Sequence, residues 1–145
     1  MENEEVIEIL YNTKYGGWGI SKKAIELYKL RRSDLSEIEK DNYSSSSFSF
    51  SLSRRNDPIL IQIYKELGND FDSKFSRSAI KKIPKKYENY YYIEEYDGKE
   101  WVKINYNEYK LDNIYNKIKE ILKSDLNNDQ KINEIDEFIS AACDS

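Results

Sequence analysis

The strongest constraint on the fold is the stretch from Tyr90 to Val102, in which two alternating runs of apolar and polar residues flank Asp97-Gly98. An Asp-Gly pair between such runs favours a β-hairpin with a two-residue type I′ turn, because both turn residues must adopt positive φ angles. The pattern therefore predicts two antiparallel strands joined at Asp97-Gly98. It predicts an element of the fold and contains no catalytic motif.

The register of this hairpin follows from its loop length, because side chains alternate between the two faces of a strand. A two-residue loop places these apolar residues on one face: Tyr91, Ile93, Val102 and Ile104. The other face then carries Tyr92, Glu94, Tyr96, Lys99, Trp101 and Lys103. A three-residue loop would pair polar with apolar residues across the ladder, so the shorter loop is favoured.

The same register sets Glu95 opposite Glu100 at the hairpin end, where like charges repel. One interpretation is a pair of carboxylates that bind a metal, an Arg or a Lys. The favoured interpretation is a solvated end near Lys99 and Lys103, because exposed charges beside a turn cost little.

Composition indicates one domain, residues 1–145, which is long enough to bury a core without disulfides. The single cysteine, Cys143, agrees with this expectation. Neither a membrane-length apolar run nor a basic, hydrophobic N-terminus is present, so we expect no membrane partner and an intracellular location.

The charge and the absence of histidine narrow the classes of function. A net charge of −4 disfavours general nucleic-acid binding, and the one basic cluster is interpreted as a solvated strand end: Lys81, Lys82, Lys85 and Lys86. The chain has no histidine, which removes the usual general base, the commonest zinc ligand and histidine-based triads. We therefore expect no catalytic residues and no cofactor.

Hydrophobic patterns and helix caps predict an α+β fold with a small, mainly antiparallel sheet packed against helices, in the order β-α-α-β-β-β-α-α. The predicted elements are a strand at 5–11, a helix capped by Ser21, a helix begun by Asp57-Pro58 and ended by Gly68, a strand at 79–83, the hairpin, and two helices around Leu111–Leu122 and Ile132–Ile139. A flexible Ser-rich insertion is predicted at 33–53, and a C-terminal helical tail at 107–145. Phe and Ser alternate in 48–53, so this part is alternatively a one-sided strand at the sheet edge or a segment that orders on binding.

Residues Asp125–Asp136 align with a twelve-residue calcium loop of the EF-hand type, with oxygen ligands at positions one, three and five. The sixth position is Gln130 instead of glycine, and the twelfth is Asp136 instead of glutamate. The favoured alternative is a helix–turn–helix in which Asn127 or Asn128 caps a helix that starts near Asp129.

The loop Tyr15-Gly16-Gly17-Trp18-Gly19 lies between a predicted strand and a helix N-terminus, which is where phosphate-binding turns lie. It lacks the glycine spacing and the lysine of the known phosphate motifs, and Trp18 is alternatively a core residue beside the turn. Arg54 and Arg55 are candidates for pairing with an anionic ligand or with the acidic hairpin tip; a structural salt bridge is favoured.

Three segments together resemble a family of small uncharacterised proteins of giant DNA viruses (mimivirus-like) and some phages. They are a Tyr-Gly-Gly-aromatic turn within 12–21, an Arg-x-Asp-Pro helix start within 55–68, and a Glu-Tyr-Asp-Gly-x-Glu hairpin within 92–102. The resemblance covers about residues 5 to 104. It implies a viral accessory protein of the host cytoplasm or virion and brings no assigned reaction, catalytic residue or cofactor.

The leading expectation is a non-enzymatic module that binds a host or viral protein through exposed aromatic residues and the glycine turn. The candidate partner-binding residues are Tyr15, Gly16, Gly17, Trp18, Tyr92, Tyr96 and Trp101. The three hairpin residues of this set would alternatively pack under a helix. One alternative is a divalent-cation-binding protein or cation-dependent enzyme that uses Glu95 and Glu100 or the Asp125–Asp136 segment. Another is phosphate or nucleotide binding at the glycine turn.

Overall fold

The structure is a computed structural model that describes residues 4–34 and 55–143. Across these ranges the main elements are β1 (Val6–Asn12), α1 (Lys22–Arg31), α2 (Pro58–Leu67), β2 (Ser78–Pro84), β3 (Tyr91–Tyr96), β4 (Lys99–Ile104), α3 (Tyr106–Leu122) and α4 (Asn128–Cys143). Short 3₁₀ turns follow α2 and β2. The predicted α+β class and element order are confirmed.

The chain forms two compact units, an N-terminal unit (residues 1–104) and a C-terminal unit (residues 105–145), where composition alone indicated one domain. The predicted helical tail, 107–145, falls within the C-terminal unit. Most of the predicted insertion, 33–53, lies outside the described residues, as do its alternating Phe and Ser residues.

The strands of the N-terminal unit form two separate two-stranded antiparallel sheets, β1–β2 and β3–β4. In the β3–β4 hairpin, Tyr96 pairs with Lys99 and Glu95 with Glu100, so the loop is the predicted two-residue one. Asp97 and Gly98 both have positive φ angles, of 51° and 92°. The register prediction is therefore confirmed.

The N-terminal unit is built in three layers, because the β1–β2 sheet has an apolar residue pattern on both faces. Leu10 and Ile80 point towards α1 and α2 and join the larger core, which includes Trp18, Tyr28, Leu60, Ile63 and Phe71. Ile9 and Ile83 point to the other face and pack with the apolar face of the β3–β4 hairpin: Tyr91, Val102 and Ile104. The hairpin is therefore an outer layer with one face free of the core.

Local capping explains where the helices of this unit begin and end. The Ser21 hydroxyl accepts a hydrogen bond from the Ala24 N–H at the start of α1, and the Asp57 carboxylate accepts one from the Ile59 N–H at the start of α2. Pro58 is the first residue of α2, and Gly68 ends that helix with a φ of 54°. These three predictions are confirmed.

In the C-terminal unit, α3 and α4 form a helical hairpin. Asn127 and Gln130 cap α4 reciprocally: each side-chain oxygen accepts a hydrogen bond from the other residue's backbone N–H, at 2.9 and 3.1 Å. Because residues from Asn128 onward are helical, the Asp125–Asp136 segment does not form the twelve-residue calcium loop. It takes the favoured helix–turn–helix alternative.

Candidate functional site

The outer face of the β3–β4 hairpin exposes three large aromatic side chains. Tyr92 is 46% exposed, Tyr96 71% and Trp101 39%. The pairing of Glu94 with Trp101 places Tyr92 and Tyr96 at the two diagonal positions beside the indole. These three residues form one surface, which we call the aromatic face.

A lysine connects the aromatic face to the glycine turn. The Lys99 ammonium lies 5.6 Å from the ring centroid of Trp101 and 5.6 Å from that of Tyr15, which is itself 56% exposed. Both distances are within the range of a cation–π contact. Tyr15 therefore extends the aromatic face past the hairpin end.

Trp18, another candidate partner-binding residue, belongs to the core. Its side chain is 5% exposed, and its indole N–H donates a 2.8 Å hydrogen bond to the Ser78 hydroxyl. The Arg55 guanidinium carbon lies 3.9 Å from its ring centroid. Trp18 is therefore placed beneath the site, as the alternative interpretation had it, and we leave it out of the contact surface.

A buried ion pair anchors the hairpin to β1. Arg55 donates two hydrogen bonds to the Glu100 carboxylate, at 2.6 and 2.9 Å, and both residues are under a tenth exposed. Glu100 also accepts a 2.7 Å hydrogen bond from the Asn12 backbone N–H. The favoured prediction of a solvated acidic tip is therefore wrong for Glu100, whereas the predicted structural salt bridge of Arg55 is confirmed.

Glu100 lies on the inward face with Val102 and Ile104 and is covered there by Arg55 and β1, whereas Glu95, opposite it on the same face, stays exposed. An unpaired charge in the position of Glu100 would be costly. The bidentate guanidinium and the backbone N–H supply the hydrogen bonds that offset this cost. Sequence patterns gave the position of Glu100 on the hairpin. They did not show that its partner comes from the turn just before α2, 45 residues away.

Asn12 completes this network, and sequence analysis missed its role. Its side-chain amide donates 2.7 Å hydrogen bonds to the carbonyls of Lys14 and Gly98, and its side-chain oxygen accepts from the backbone N–H groups of Lys14 and Arg77. Asn12 is fully buried. We call Asn12, Arg55 and Glu100 the polar hub. An Asn directly after the predicted strand 5–11 was its only sign in the sequence.

The loop Tyr15–Gly19, the glycine turn, contacts the hairpin turn through backbone atoms. The Gly16 N–H donates a 3.0 Å hydrogen bond to the Asp97 carbonyl. A β-carbon placed on Gly98 would lie 2.0 Å from the Gly17 nitrogen, so the two backbones meet with no room for a side chain. Gly16 and Gly17 therefore position the hairpin, and this contact uses an amide that the phosphate interpretation would need.

The remaining candidates for anion or cation binding receive little geometric support. Arg55 is engaged by Glu100, and Arg54 lies outside the described residues. The Glu95 carboxylate accepts a hydrogen bond from the Gly98 N–H. Within residues 4–34 and 55–143, no group of three or more His, Cys, Asp or Glu side chains is arranged to hold a metal ion.

A second, partly buried cluster joins the two helices of the N-terminal unit. The Tyr28 hydroxyl donates a 2.5 Å hydrogen bond to Asp57, and Arg32 donates to the same hydroxyl. Burial, followed by the Asp57 carboxylate, raises the pKa of the Tyr28 phenol well above its ordinary range. Because Asp57 is also the N-cap of α2, this cluster fixes the contact between α1 and α2.

The basic cluster of β2 and the turn that follows is exposed at all four lysines, Lys81, Lys82, Lys85 and Lys86. Lys85 and Lys86 approach Glu5 and Glu4 at 3.6 and 3.9 Å. Pairs at this exposure contribute little to stability.

None of the described helices has the length and apolar character needed to cross a membrane.

Comparisons of the chain with protein-family models, curated proteins and solved structures gave no match. The resemblance to small viral proteins therefore remains an expectation from the sequence motifs.

Proposed function

We propose that this protein is a non-enzymatic interaction module of the viral accessory type, and that the aromatic face with Tyr15 is its docking surface for a host or viral protein. The observation that carries the proposal is the division of the hairpin into two faces. Its apolar face packs against Ile9 and Ile83, whereas Tyr92, Tyr96 and Trp101 stay exposed and serve no core.

The chemistry of these side chains suits a protein partner. Tyrosine and tryptophan bury large areas with few rotatable bonds and keep a polar group at the rim, which is why they are enriched among the residues that contribute most to interfaces. Lys99, Lys103 and Glu94 surround the rings on the same face. They supply charged groups at the rim of an apolar centre, which is the usual anatomy of an interface.

The hairpin is also held rigidly, which favours binding. The polar hub fixes β4 to β1, and the contact between the glycine turn and Gly98 fixes the hairpin end. A surface that is already ordered loses less conformational entropy when a partner docks. In this proposal Gly16, Gly17 and Trp18 position the surface without touching the partner.

The test is a pull-down from infected cells with the full chain and its Tyr96→Ala/Trp101→Ala variant as baits. Both substitutions remove exposed rings, so the variant should fold and lose the partner that the unchanged chain captures. Leu30→Ala is the matched control, because Leu30 is a 77% exposed apolar residue on α1, in the helical layer. Capture that the double variant retains, or that Leu30→Ala also loses, would contradict the proposal.

Fluorescence gives a second measurement, because the chain has only two tryptophans and they differ in exposure. Trp101 is accessible and Trp18 is not. Iodide should quench Trp101 in the free protein, and an added partner should protect it. Unchanged quenching in a complex of the two purified proteins would place the partner elsewhere on the molecule.

A further inference from the structure

The C-terminal unit exposes apolar side chains that its own fold leaves without a cover. Five of these form one set, with exposed fractions from 39% to 65%: Leu111, Tyr115 and Leu122 in α3, and Ile132 and Ile139 in α4. Tyr106, the first residue of α3, is also 59% exposed but lies on the other side of that helix. Only Ile121 is buried among the described residues of the unit. Two helices of 17 and 16 residues are too few to enclose a core by themselves.

These five residues lie on one side of the helical hairpin. The least exposed apolar residues, which include Ile114 and Ile121 in α3 and Ile135 and Phe138 in α4, recur at helical spacing and mark the side on which the helices pack. Tyr115 and Leu122 each come one position after a residue of that line. Their side chains are therefore rotated by about 100° around the helix axis from the side on which α3 packs.

The same displacement occurs in α4. Ile139 follows Phe138 by one position, and Ile132 follows the half-buried Lys131. The short connection after α3 and the 2.9 Å hydrogen bond from the Lys131 ammonium to the Leu122 carbonyl make the helices antiparallel neighbours. In antiparallel helices, residues displaced in the same sense from the contact line emerge on the same side. The five exposed side chains therefore form one surface, the apolar helix face.

We propose that the apolar helix face binds a second copy of this chain, so that two helical hairpins form a four-helix bundle around a two-fold axis. Four helices packed in this way enclose the wide apolar stripes that two helices leave open. The face spans two helices of about 25 Å, as a rise of about 1.5 Å per residue implies. A surface of this length and two helices wide has an area on the order of 800 Å², which is what each partner buries in a typical stable interface.

The charges beside the face favour a copy of the same chain as the occupant. Near the connection between the helices, the rim of α3 carries Lys119, whereas that of α4 carries Asp129 and Asp136. The acidic rim residues of α3, Glu108 and Asp112, lie towards the other end of the helix. In an isologous dimer, a patch on one copy meets the same patch on the other in reverse. With α3 packed on α4 of the second copy, Lys119 approaches the two aspartates and like charges stay apart.

The test is the mass of the full chain in solution, measured by sedimentation equilibrium over a wide range of concentration. We expect a reversible dimer of twice the 17.3 kDa chain mass. Ile132→Glu/Ile139→Glu places charges in the apolar helix face and should raise the dimer dissociation constant at least about tenfold, which corresponds to about 1.4 kcal/mol.

The matched control is Asn133→Glu/Ser140→Glu. It adds the same charges to the same helix one position further on, at exposed residues away from the face, and should leave the dimer intact. Circular dichroism verifies that both variants keep their helices. If the face variant unfolds, Lys119→Glu should weaken the dimer and Lys119→Glu/Asp136→Lys should restore it.

A chain that is monomeric at every concentration would overturn the proposal, whether another part of the chain or a different protein covers the face. A dimer that survives both the glutamate variant and Lys119→Glu would also overturn it, because its interface would lie elsewhere. The aromatic face is not used in this inference, so its own test remains independent.

Discussion

The two hairpins of this protein expose apolar surface for different reasons. The β3–β4 hairpin packs its apolar side against Ile9 and Ile83 and is fixed by the polar hub, so its exposed aromatic residues are additional to a finished core. The α3–α4 hairpin buries only Ile121 among its described residues, and its exposed aliphatic residues continue the stripe on which its helices pack.

The exposed side of the β3–β4 hairpin is therefore available for function, whereas the exposed side of the α3–α4 hairpin is apolar surface that folding leaves uncovered. Strand side chains alternate, so one face of a sheet is buried while the exposed face accepts a wide range of residues at little cost in stability. When the apolar stripe of a helix is wider than one neighbouring helix can cover, the rest of the stripe stays exposed to water. We accordingly propose partner binding for the aromatic face and self-association for the apolar helix face.

The largest effect is expected from breaking the anchor of the β3–β4 hairpin. Glu100→Gln removes the charge that balances the buried Arg55 guanidinium and should lower the free energy of unfolding by about 3–5 kcal/mol. Urea unfolding measures this change. Glu94→Gln, on the exposed face of the same hairpin, is the control and should change stability by less than about 0.5 kcal/mol. Equal effects would mean that the hub does not hold the hairpin.

A smaller loss is expected at the contact between the two turns. Gly98→Ala places a β-carbon 2.0 Å from the Gly17 nitrogen and should cost about 1–3 kcal/mol for overpacking, in addition to backbone strain. Gly17→Ala has nearly the same φ, 91° against 92°, but its β-carbon meets nothing within 4 Å. The difference between the two unfolding free energies therefore measures the close approach of Gly98 to the glycine turn. A difference of zero would show that the two turns are not in close contact.

Alkaline pH should destabilise the N-terminal unit moderately. Burial raises the pKa of Tyr91, and burial together with Asp57 raises that of Tyr28, so each folded-state pKa lies above the unfolded value of about 10. Their contribution to stability is complete below about pH 10 and falls as pH rises above it. Urea unfolding across this range should show a weaker decline in Tyr28→Phe/Tyr91→Phe. If stability declines as steeply in this variant as in the unchanged chain, groups other than these two tyrosines cause the decline.

The smallest effect is expected on the aromatic face itself. Tyr96 is 71% exposed, so Tyr96→Ala should change the free energy of unfolding by no more than about 0.5 kcal/mol while it weakens partner capture. Thermal unfolding of the variant checks the first part. A marked loss of stability would show that this ring supports the fold, and the contrast between the two hairpins would then fail.

Local sequence determined the elements whose conformation depends on adjacent residues. Asp97-Gly98 specified the turn and register, because few residues tolerate consecutive positive φ angles. Ser21 and Asp57-Pro58 specified helix starts, because each cap satisfies amides of the next turn. The strand period also placed Tyr92, Tyr96 and Trp101 on one face, but it left open whether a helix covers that face, and only the fold shows that they are exposed.

Tertiary structure alone decided which polar groups were buried and what they contacted. Arg55 and Glu100 are 45 residues apart, and the Asn12 N–H that shares the carboxylate is 88 residues from it. No local pattern encodes such partners, since each pairing depends on how β1, the turn just before α2 and β4 come together. Trp18 is a core residue for the same reason: the surface that covers it, Arg55 and Ser78, comes from distant parts of the chain.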